Sequence, residues 1–301
     1  MLPPREAIRL IRPKHWVKNG FVLAPLIFAQ ELFLQEPLTL ALRAFLAFCF
    51  SASVVYITND LLDAEADRLH PEKRFRPIAA GTVSFTQAIL LVLGLALLVV
   101  VLARGMDPRF IVVLCGYVVL NLAYSLGLKR VPILDVFIIA AGFMMRVVGG
   151  AYAIDVKVSS WIVLCSLFIS LFLGFAKRRA ELVLVKESGL QTERKVLGIY
   201  SVEFLDQLLT VSAAGTVISY AMYSVAPRTI EIFGTDKLIY TTVFVLYGVF
   251  RYLYIIHATP ATDNPTTVVT SDRGIILTTV LWILSCVVII YFGKYVPSFG
   301  L

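Results

Sequence analysis

Long apolar runs alternate along the chain with short charged segments. Runs near residues 19–34, 38–58, 84–103, 110–128, 132–153, 158–176, 200–226, 238–257 and 274–293 each approach the roughly 20 residues that a helix needs to cross a bilayer core. The pattern predicts an all-α fold: a multi-pass membrane bundle of nine transmembrane helices. The first run is the weakest, because it is short and Pro25 interrupts it. The longest intervening segments hold about 25 residues, well short of a separate soluble domain. Residues 1–301 therefore read as one integral membrane domain.

Composition points the same way. Of 301 residues, 59% are hydrophobic and 16% charged, at a mean hydropathy of +0.85, so the main solvent is lipid. The basic, proline-containing start lacks a clear small-residue cleavage site, so no cleavable signal peptide is expected. Lysines and arginines set the orientation. With a cytoplasmic N-terminus, the inner segments carry most of them, from Arg5, Arg9 and Arg12 through Lys73, Arg74 and Arg76 to Lys177, Arg178 and Arg179. The outer segments carry only Arg104, Arg109, Lys157, Arg228, Lys237 and Lys294. The charge-rich loops after spans 2, 4 and 6 then share the cytoplasmic face of the plasma (inner) membrane, and the net charge of +7 suits anionic lipid and phosphate.

Several chemistries drop out. Cys49, Cys115, Cys165 and Cys286 are isolated within apolar runs and have no CxxC or Cys/His spacing, so they read as small core residues rather than zinc ligands or disulfides. Three scattered histidines suggest no histidine metal site. There is no glycine-rich phosphate loop and no GxSxG elbow.

The segment "ITNDLLDAEADRLHPEKRFRP" (57–77) is the exception to the greasy background. Asp60, Asp63 and Asp67 recur at i, i+3 and i+7, which on a helix places three carboxylates on one face at the end of span 2, with Asn59 at its edge. Like charges so clustered call for a cation. Mg²⁺ suits them, since it takes oxygen ligands and is held by carboxylates together with substrate phosphates. The bland reading is a solvated helix end, neutralised by Arg68, Lys73 and Arg74. Deeper in the membrane, Arg146 lies eleven residues beyond Asp135, about 16 Å along span 5. An intramembrane arginine is a functional candidate by default, with a buried carboxylate or a lipid phosphate as its partner. Arg43 and Arg251, nearer span ends, are expected to snorkel.

Asn59-Asp60-Leu-Leu-Asp63-Ala-Glu-Ala-Asp67, with Arg76-Pro77 to Gly81 behind it, resembles the signature of the UbiA-type intramembrane prenyltransferases. The resemblance implies a nine-helix bundle that uses Mg²⁺ on Asp60, Asp63 and Asp67 to bind a diphosphate-bearing substrate. One departure narrows it. Such proteins typically carry a second Asp-rich motif after span 6, where this chain reads "FAKRRAELVLVKESG". Exchanging aspartates for Lys177 and Arg178 replaces a metal-mediated contact with direct phosphate contacts.

That character is similar to the decaprenyl-phosphate (polyprenyl-phosphate) phosphoribosyltransferase branch. The blocks that carry the likeness are "RPKHWVKN" (12–19), "NDLLDAEADRLHPEKRFRPIAAG" (59–81), "AYSLGLKRVPILD" (123–135), "FAKRRAEL" (175–182) and "NPTTVVTSDR" (264–273). The resemblance implies transfer of 5-phosphoribose from phosphoribosyl pyrophosphate (PRPP) to a polyprenyl phosphate in the membrane, with no nucleic-acid partner and a homo-oligomer left open. Substrate contacts are expected at Lys14, Lys18, Asn59, Lys73, Arg74, Arg76, Tyr124, Lys129, Arg130, Asp135, Arg146, Lys177 and Arg178. For Lys14 and Lys18 the alternative is headgroup anchoring of span 1. For Lys73, Arg74 and Arg76 it is the positive-inside bias alone, and Lys129 and Arg130 carry a similar alternative. Two rival functions stand beside this one. A conventional prenyltransferase would want the second acidic motif, and a transporter would want repeated spans, which the sequence does not show.

Overall fold

A computed structural model describes residues 3–70, 73–188, 195–258, 268–269 and 271–293. Helix α1 (Pro4–Ile11) leads into a 3-10 segment, Pro13–Leu23, and then α2 (Ala24–Phe28). There follow α3 (Gln35–Leu62), α4 (Ala64–Leu69), α5 (Phe85–Ala103), α6 (Pro108–Leu126) and α7 (Leu134–Ala153). The chain continues with α8 (Ser160–Ser188), α9 (Val202–Val225), α10 (Pro227–Phe233), α11 (Thr242–Ala258) and α12 (Arg273–Phe292).

Among the described residues, eight helices are long and apolar enough to cross a membrane, and they correspond to eight of the nine expected spans. The first run, 19–34, differs: it is the end of the 3-10 segment plus the five-residue α2. Gly20 disfavours helix and Pro25 brings no backbone donor, so a continuous α-helix does not propagate there. The sixth run departs the other way. Helix α8 continues past residue 176 to Ser188, because AKRRAELVLVKES consists mostly of good helix formers and meets no glycine before position 189. Lys177 and Arg178 therefore sit on a helix rather than in a loop. Residues 189–194, the end of the loop expected there, and 264–267 and 270 of the "NPTTVVTSDR" block lie outside the described residues.

The helices group into two compact units. The first contains Met1–Leu26, Glu31–Gly127 and Met145–Lys157. At its centre Phe48 of α3 packs on Phe110 and Tyr117 of α6, at ring separations of 6.2 and 5.3 Å, with Val22, Ala44, Ala52 and Leu114 around them. A second cluster joins Leu10 of α1, Ile57 of α3, Ile78, Val83 and Ala88 of α5. Gly81, at φ +74°, turns the chain toward α5, whose start is fixed by a capping box between Ser84 and Gln87.

The second unit contains Ile27–Gln30, Leu128–Met144 and Val158–Leu301. Its core is built on α8 and α9, where Leu171, Phe172 and Phe175 meet Leu205, Leu209 and Ala213, with Val249 and Tyr252 of α11 beside them. Lipid is as apolar as leucine, so close approach rather than water exclusion holds such helices together. Gly215 of α9 permits it: a Cβ there would stand 2.4 Å from the Phe168 ring.

The expectation for the cysteines is corrected in part. Cys115 is exposed and Cys165 only partly buried, whereas Cys49 and Cys286 are core residues; the outward face of α6 is lipid-facing, and a small polarizable thiol is tolerated there. The Arg43 head group has fixed acceptors: Nη2 donates to the carbonyls of Leu102 (2.8 Å) and Arg104 (2.6 Å), closing the C-terminal end of α5. Arg251 is ion-paired with Asp272 at 2.9 Å, which holds that carboxyl below its usual range.

Gly215→Ala should overpack this contact by about 1–3 kcal/mol and lower the detergent unfolding temperature. Gly94→Ala, where a Cβ meets nothing within 4 Å, serves as the control and should not lower it. Equal melting of the Gly215 variant and the parent would refute the close packing.

Candidate active site

The acidic segment begins inside α3 and does not continue as one helix. The last turn of α3 ends at Leu62, Asp63 takes up φ −92° and ψ 5°, and α4 starts anew at Ala64. The single helix expected over the i, i+3, i+7 spacing is thus interrupted at one residue, although the Asp63 amide still bonds the Asn59 carbonyl and the Asp67 amide that of Asp63. Across it, Asp60 and Asp67 share one cation. Arg76 Nη1 lies 3.0 Å from Asp60 Oδ1 and 2.7 Å from Asp67 Oδ2. Arg12 supplies a second guanidinium, its Nη2 donating to both oxygens of Asp60 at 2.7 and 2.6 Å. Asp60 and Asp67 are buried, at 2% and 3% exposure, and burial at that level requires charge partners. Arg12 reaches Asp60 from a left-handed backbone conformation, φ 55°, which for a non-glycine residue costs about 1–2 kcal/mol.

Among the described residues, no three His, Cys, Asp or Glu side chains converge as a metal site. The donor set nonetheless fits Mg²⁺. Oxygens from α3 and α4 converge on one cationic nitrogen of Arg76, marking a point where both carboxylates address a positive charge. Beside Asp60, the Asn59 side-chain carbonyl is buried with no hydrogen-bond partner. Two carboxylates and an amide oxygen form the hard donor set that this ion prefers.

Above the acid pair runs a polar line along one face of α3. Cys49, Ser53, Tyr56 and Asp60 are spaced by four, three and four residues, and the N-terminal segment lies against them. Ser53 Oγ donates to the Ile11 carbonyl at 2.8 Å and accepts from Trp16 Nε1 at 3.1 Å. Arg12 stacks over Tyr56, 5.4 Å from the ring centre. Asn19 donates to Cys49 Sγ and accepts from Arg146 Nε at 2.6 Å. Arg146 Nη2 donates to the Tyr117 hydroxyl at 2.8 Å. Arg146 thus bonds an amide and a phenol.

A second polar cluster belongs to the second unit. Asp135, in the first turn of α7, is fully buried and accepts from Arg178 Nε of α8 at 2.6 Å. Arg178, itself 1% exposed, also pairs with Glu181 at 2.6 Å, one turn along α8. Lys177 is partly exposed and lies 4.0 Å from the same Glu181. Tyr200 donates to Asp135 and accepts from the Ile133 amide, holding a β-branched residue at φ 66°. Burial pushes the Tyr200 hydroxyl up to about 12, against a smaller opposing pull from the Ile133 amide, so it stays a donor at neutral pH.

Comparison with known proteins identifies the family. The sequence model of the UbiA prenyltransferase family matches residues 21–268. The chain belongs to this family. It is 38% identical over 233 residues to the decaprenyl-phosphate phosphoribosyltransferase of Corynebacterium glutamicum, covering 73% of this chain and 69% of the relative. The protein of the same name from Mycolicibacterium smegmatis is 37% identical over 230 residues, covering 74% and 72%. Among solved structures, a UbiA homolog from Archaeoglobus fulgidus bound to GPP and Mg²⁺ aligns with TM-score 0.71 at 20% identity, covering 95% of this chain and 99% of the homolog.

Set on this family fold, the other candidates are distributed as follows. Lys14, Arg74 and Arg130 are exposed, and Lys18, Lys73, Tyr124 and Lys129 are partly buried. Arg74 lies over the Phe75 ring, 4.8 Å from its centre. Tyr124 belongs to the first unit, Lys129 and Arg130 to the second. Arg12, Asn19, Tyr117 and Tyr200 were not singled out from the sequence. Arg12 and Asn19 bracket the "RPKHWVKN" block and were visible there as its polar ends, whereas nothing local marks Tyr117 or Tyr200.

Arg178→Met should destabilise the protein by about 3–5 kcal/mol, because it leaves Asp135 charged and buried. Adding Asp135→Asn should recover part of that loss. Thermal unfolding in detergent reads both, and strictly additive losses would show that the pair is not coupled.

Proposed function

We propose that this protein transfers 5-phosphoribose from PRPP to a polyprenyl phosphate, releasing pyrophosphate, at the cytoplasmic face of the plasma membrane. The reading rests chiefly on the 38% identity, over most of both chains, to a decaprenyl-phosphate phosphoribosyltransferase. It is supported by α8, which bears Lys177, Arg178 and Arg179 where a second acidic motif would serve a prenyl diphosphate.

In the reaction, an oxygen of the lipid phosphate forms a bond to ribose C1 as the bond from C1 to the pyrophosphate oxygen breaks. The nucleophile is already anionic at neutral pH, so no side chain has to remove a proton from it. Asp60 and Asp67, with Asn59 and Asp63 beside them, would hold Mg²⁺ against the diphosphate. The ion supplies positive charge for the leaving group. Arg12 and Arg76 orient the carboxylates and lie within reach of any anion placed there. Lys14, Lys18, Lys73, Arg74, Tyr124, Lys129 and Arg130 are assigned to substrate contacts, and Lys177 to a phosphate. Arg178 and Asp135 support Lys177 and the turn before α7 through Glu181 and Tyr200.

Purified protein should convert labelled PRPP and polyprenyl phosphate to the phosphoribosyl lipid. EDTA should stop the reaction and Mg²⁺ restore it, and Asp60→Asn should abolish transfer while the protein stays folded. Transfer from a prenyl diphosphate without PRPP turnover would replace this reading with conventional prenyl transfer.

Lys177→Ala should raise the apparent KM for PRPP about 10- to 150-fold, the range of one charge-assisted phosphate contact, and leave that for the lipid nearly unchanged. A donor lacking the 5-phosphate should be poor with the parent, and the variant should discriminate against it less. Equal KM changes for both substrates would remove Lys177 from donor recognition.

A further inference from the structure

The polar contacts around Arg146 have a shared destination. Asn19, fully buried, is held by Arg146 Nε at 2.6 Å, and Arg146 is held in turn by the Tyr117 hydroxyl at 2.8 Å and stacks on that ring, 4.6 Å from its centre. One turn further along α7, Gly150 faces the same segment. A Cβ on it would stand 2.0 Å from the carbonyl oxygen of Val22, so backbone rests on backbone there. Arg146 and Gly150, four residues apart on one face of α7, thus form a bed for the Pro13–Leu23 segment. At its other end the segment continues into Arg12, whose guanidinium is bound to Asp60 at 2.6 Å. A 3-10 run of eleven residues is uncommonly long and has poor internal hydrogen-bond geometry, so its shape must be imposed from outside.

We propose that Arg146 is a membrane-embedded positioning residue that, through Asn19, fixes the Pro13–Leu23 segment on α3 and α7 and thereby sets where Arg12 meets Asp60. It acts from within the bundle and touches neither substrate. Its catalytic consequence rests on the function proposed above; the structural coupling does not. The fork geometry is needed, because Nε and Nη2 serve two different acceptors at once, which one ammonium group cannot reproduce.

Hydrogen exchange measured by mass spectrometry on the detergent-purified full chain tests the coupling without using activity. In Arg146→Gln, amides of 13–23 should exchange about 10-fold faster or more, the factor carried by one charge-assisted hydrogen bond, while those of α5 keep their protection. The apparent KM for PRPP should rise and that for the polyprenyl phosphate stay put, and Arg146→Lys should not restore either readout. Unchanged exchange in 13–23 overturns the proposal. So does a rise confined to the KM for the polyprenyl phosphate, which would make Arg146 a direct lipid-phosphate contact. If Arg146→Gln does not fold, Asn19→Ala decides: it leaves Arg146 on Tyr117, and it must loosen 13–23 or the proposal falls. Faster exchange in Arg146→Gln, with a parent that itself transfers no phosphoribose, would leave the coupling standing and sink the assigned reaction.

Discussion

A carboxylate buried at the end of an apolar helix has to be neutralised, and in the first unit Asp60 is the group that imposes this demand. At 2% exposure, it pays for its desolvation only through close cationic partners. Two arginines answer, one from each side in sequence: Arg12 from 48 residues before and Arg76 from 16 residues after. Each brings backbone with it. Arg12 ends α1 in a left-handed turn, and Arg9 of the same helix donates to the Phe75 carbonyl at 2.9 Å. The 73–76 turn is drawn in from the other direction, and Arg76 joins Asp67 to Asp60 across the break at Asp63. The position of α1, the break between α3 and α4 and the course of the following turn are thus one solution to one electrostatic problem.

The second unit solves a similar problem with different parts. Asp135 and Arg178 are both almost fully buried, and in lipid an unpaired charge has no water to fall back on. Their pairing ties the start of α7 to α8, and Glu181 and Tyr200 satisfy what remains of the two groups. Elsewhere in the unit, register is set by shape. Ser212, Thr216 and Ser219 satisfy their hydroxyls on carbonyls of their own helix, leaving a narrow surface against which α8 can pack. Ionic pairs fix the helix ends and small residues the apolar middles.

This division explains what could be read from the sequence. Spans α3, α5 to α9, α11 and α12 follow from hydropathy, because each buries its backbone polarity within itself and needs no distant partner to exist. The acidic motif and the basic residues of α8 were also legible, as residue types and order. The break at Asp63 was not, since LLDAEAD is as helical by propensity as the turns before it; the break follows from where Arg76 sits. The partners of Arg146 and Arg178 were equally hidden. Asn19 lies 127 residues from Arg146, and Asp135 lies 43 from Arg178, so no local spacing connects them. Residues 19–34 were read as a span, though a short one interrupted by Pro25, while their apolar side chains, Val22 among them, are buried in protein rather than in lipid. Hydropathy does not tell those two environments apart.

Charge balance gives a reason for a divalent ion at such a site. Asp60 and Asp67 carry two negative charges, and Arg12 and Arg76 return two positive ones, so these four residues together present no net charge to an arriving anion. A diphosphate would meet guanidiniums already committed to carboxylates and carboxylates that repel it. Asp60 and Asp67 would hold a divalent cation, which would supply the missing positive charge and leave guanidinium N–H groups for phosphate oxygens. On this reasoning the arginines keep the buried acids from repelling each other and are also suited to receive the substrate. Lysine at either position would lose that second property, because its charge sits on one nitrogen and, once that nitrogen is on the carboxylates, there is no second N–H edge for a phosphate.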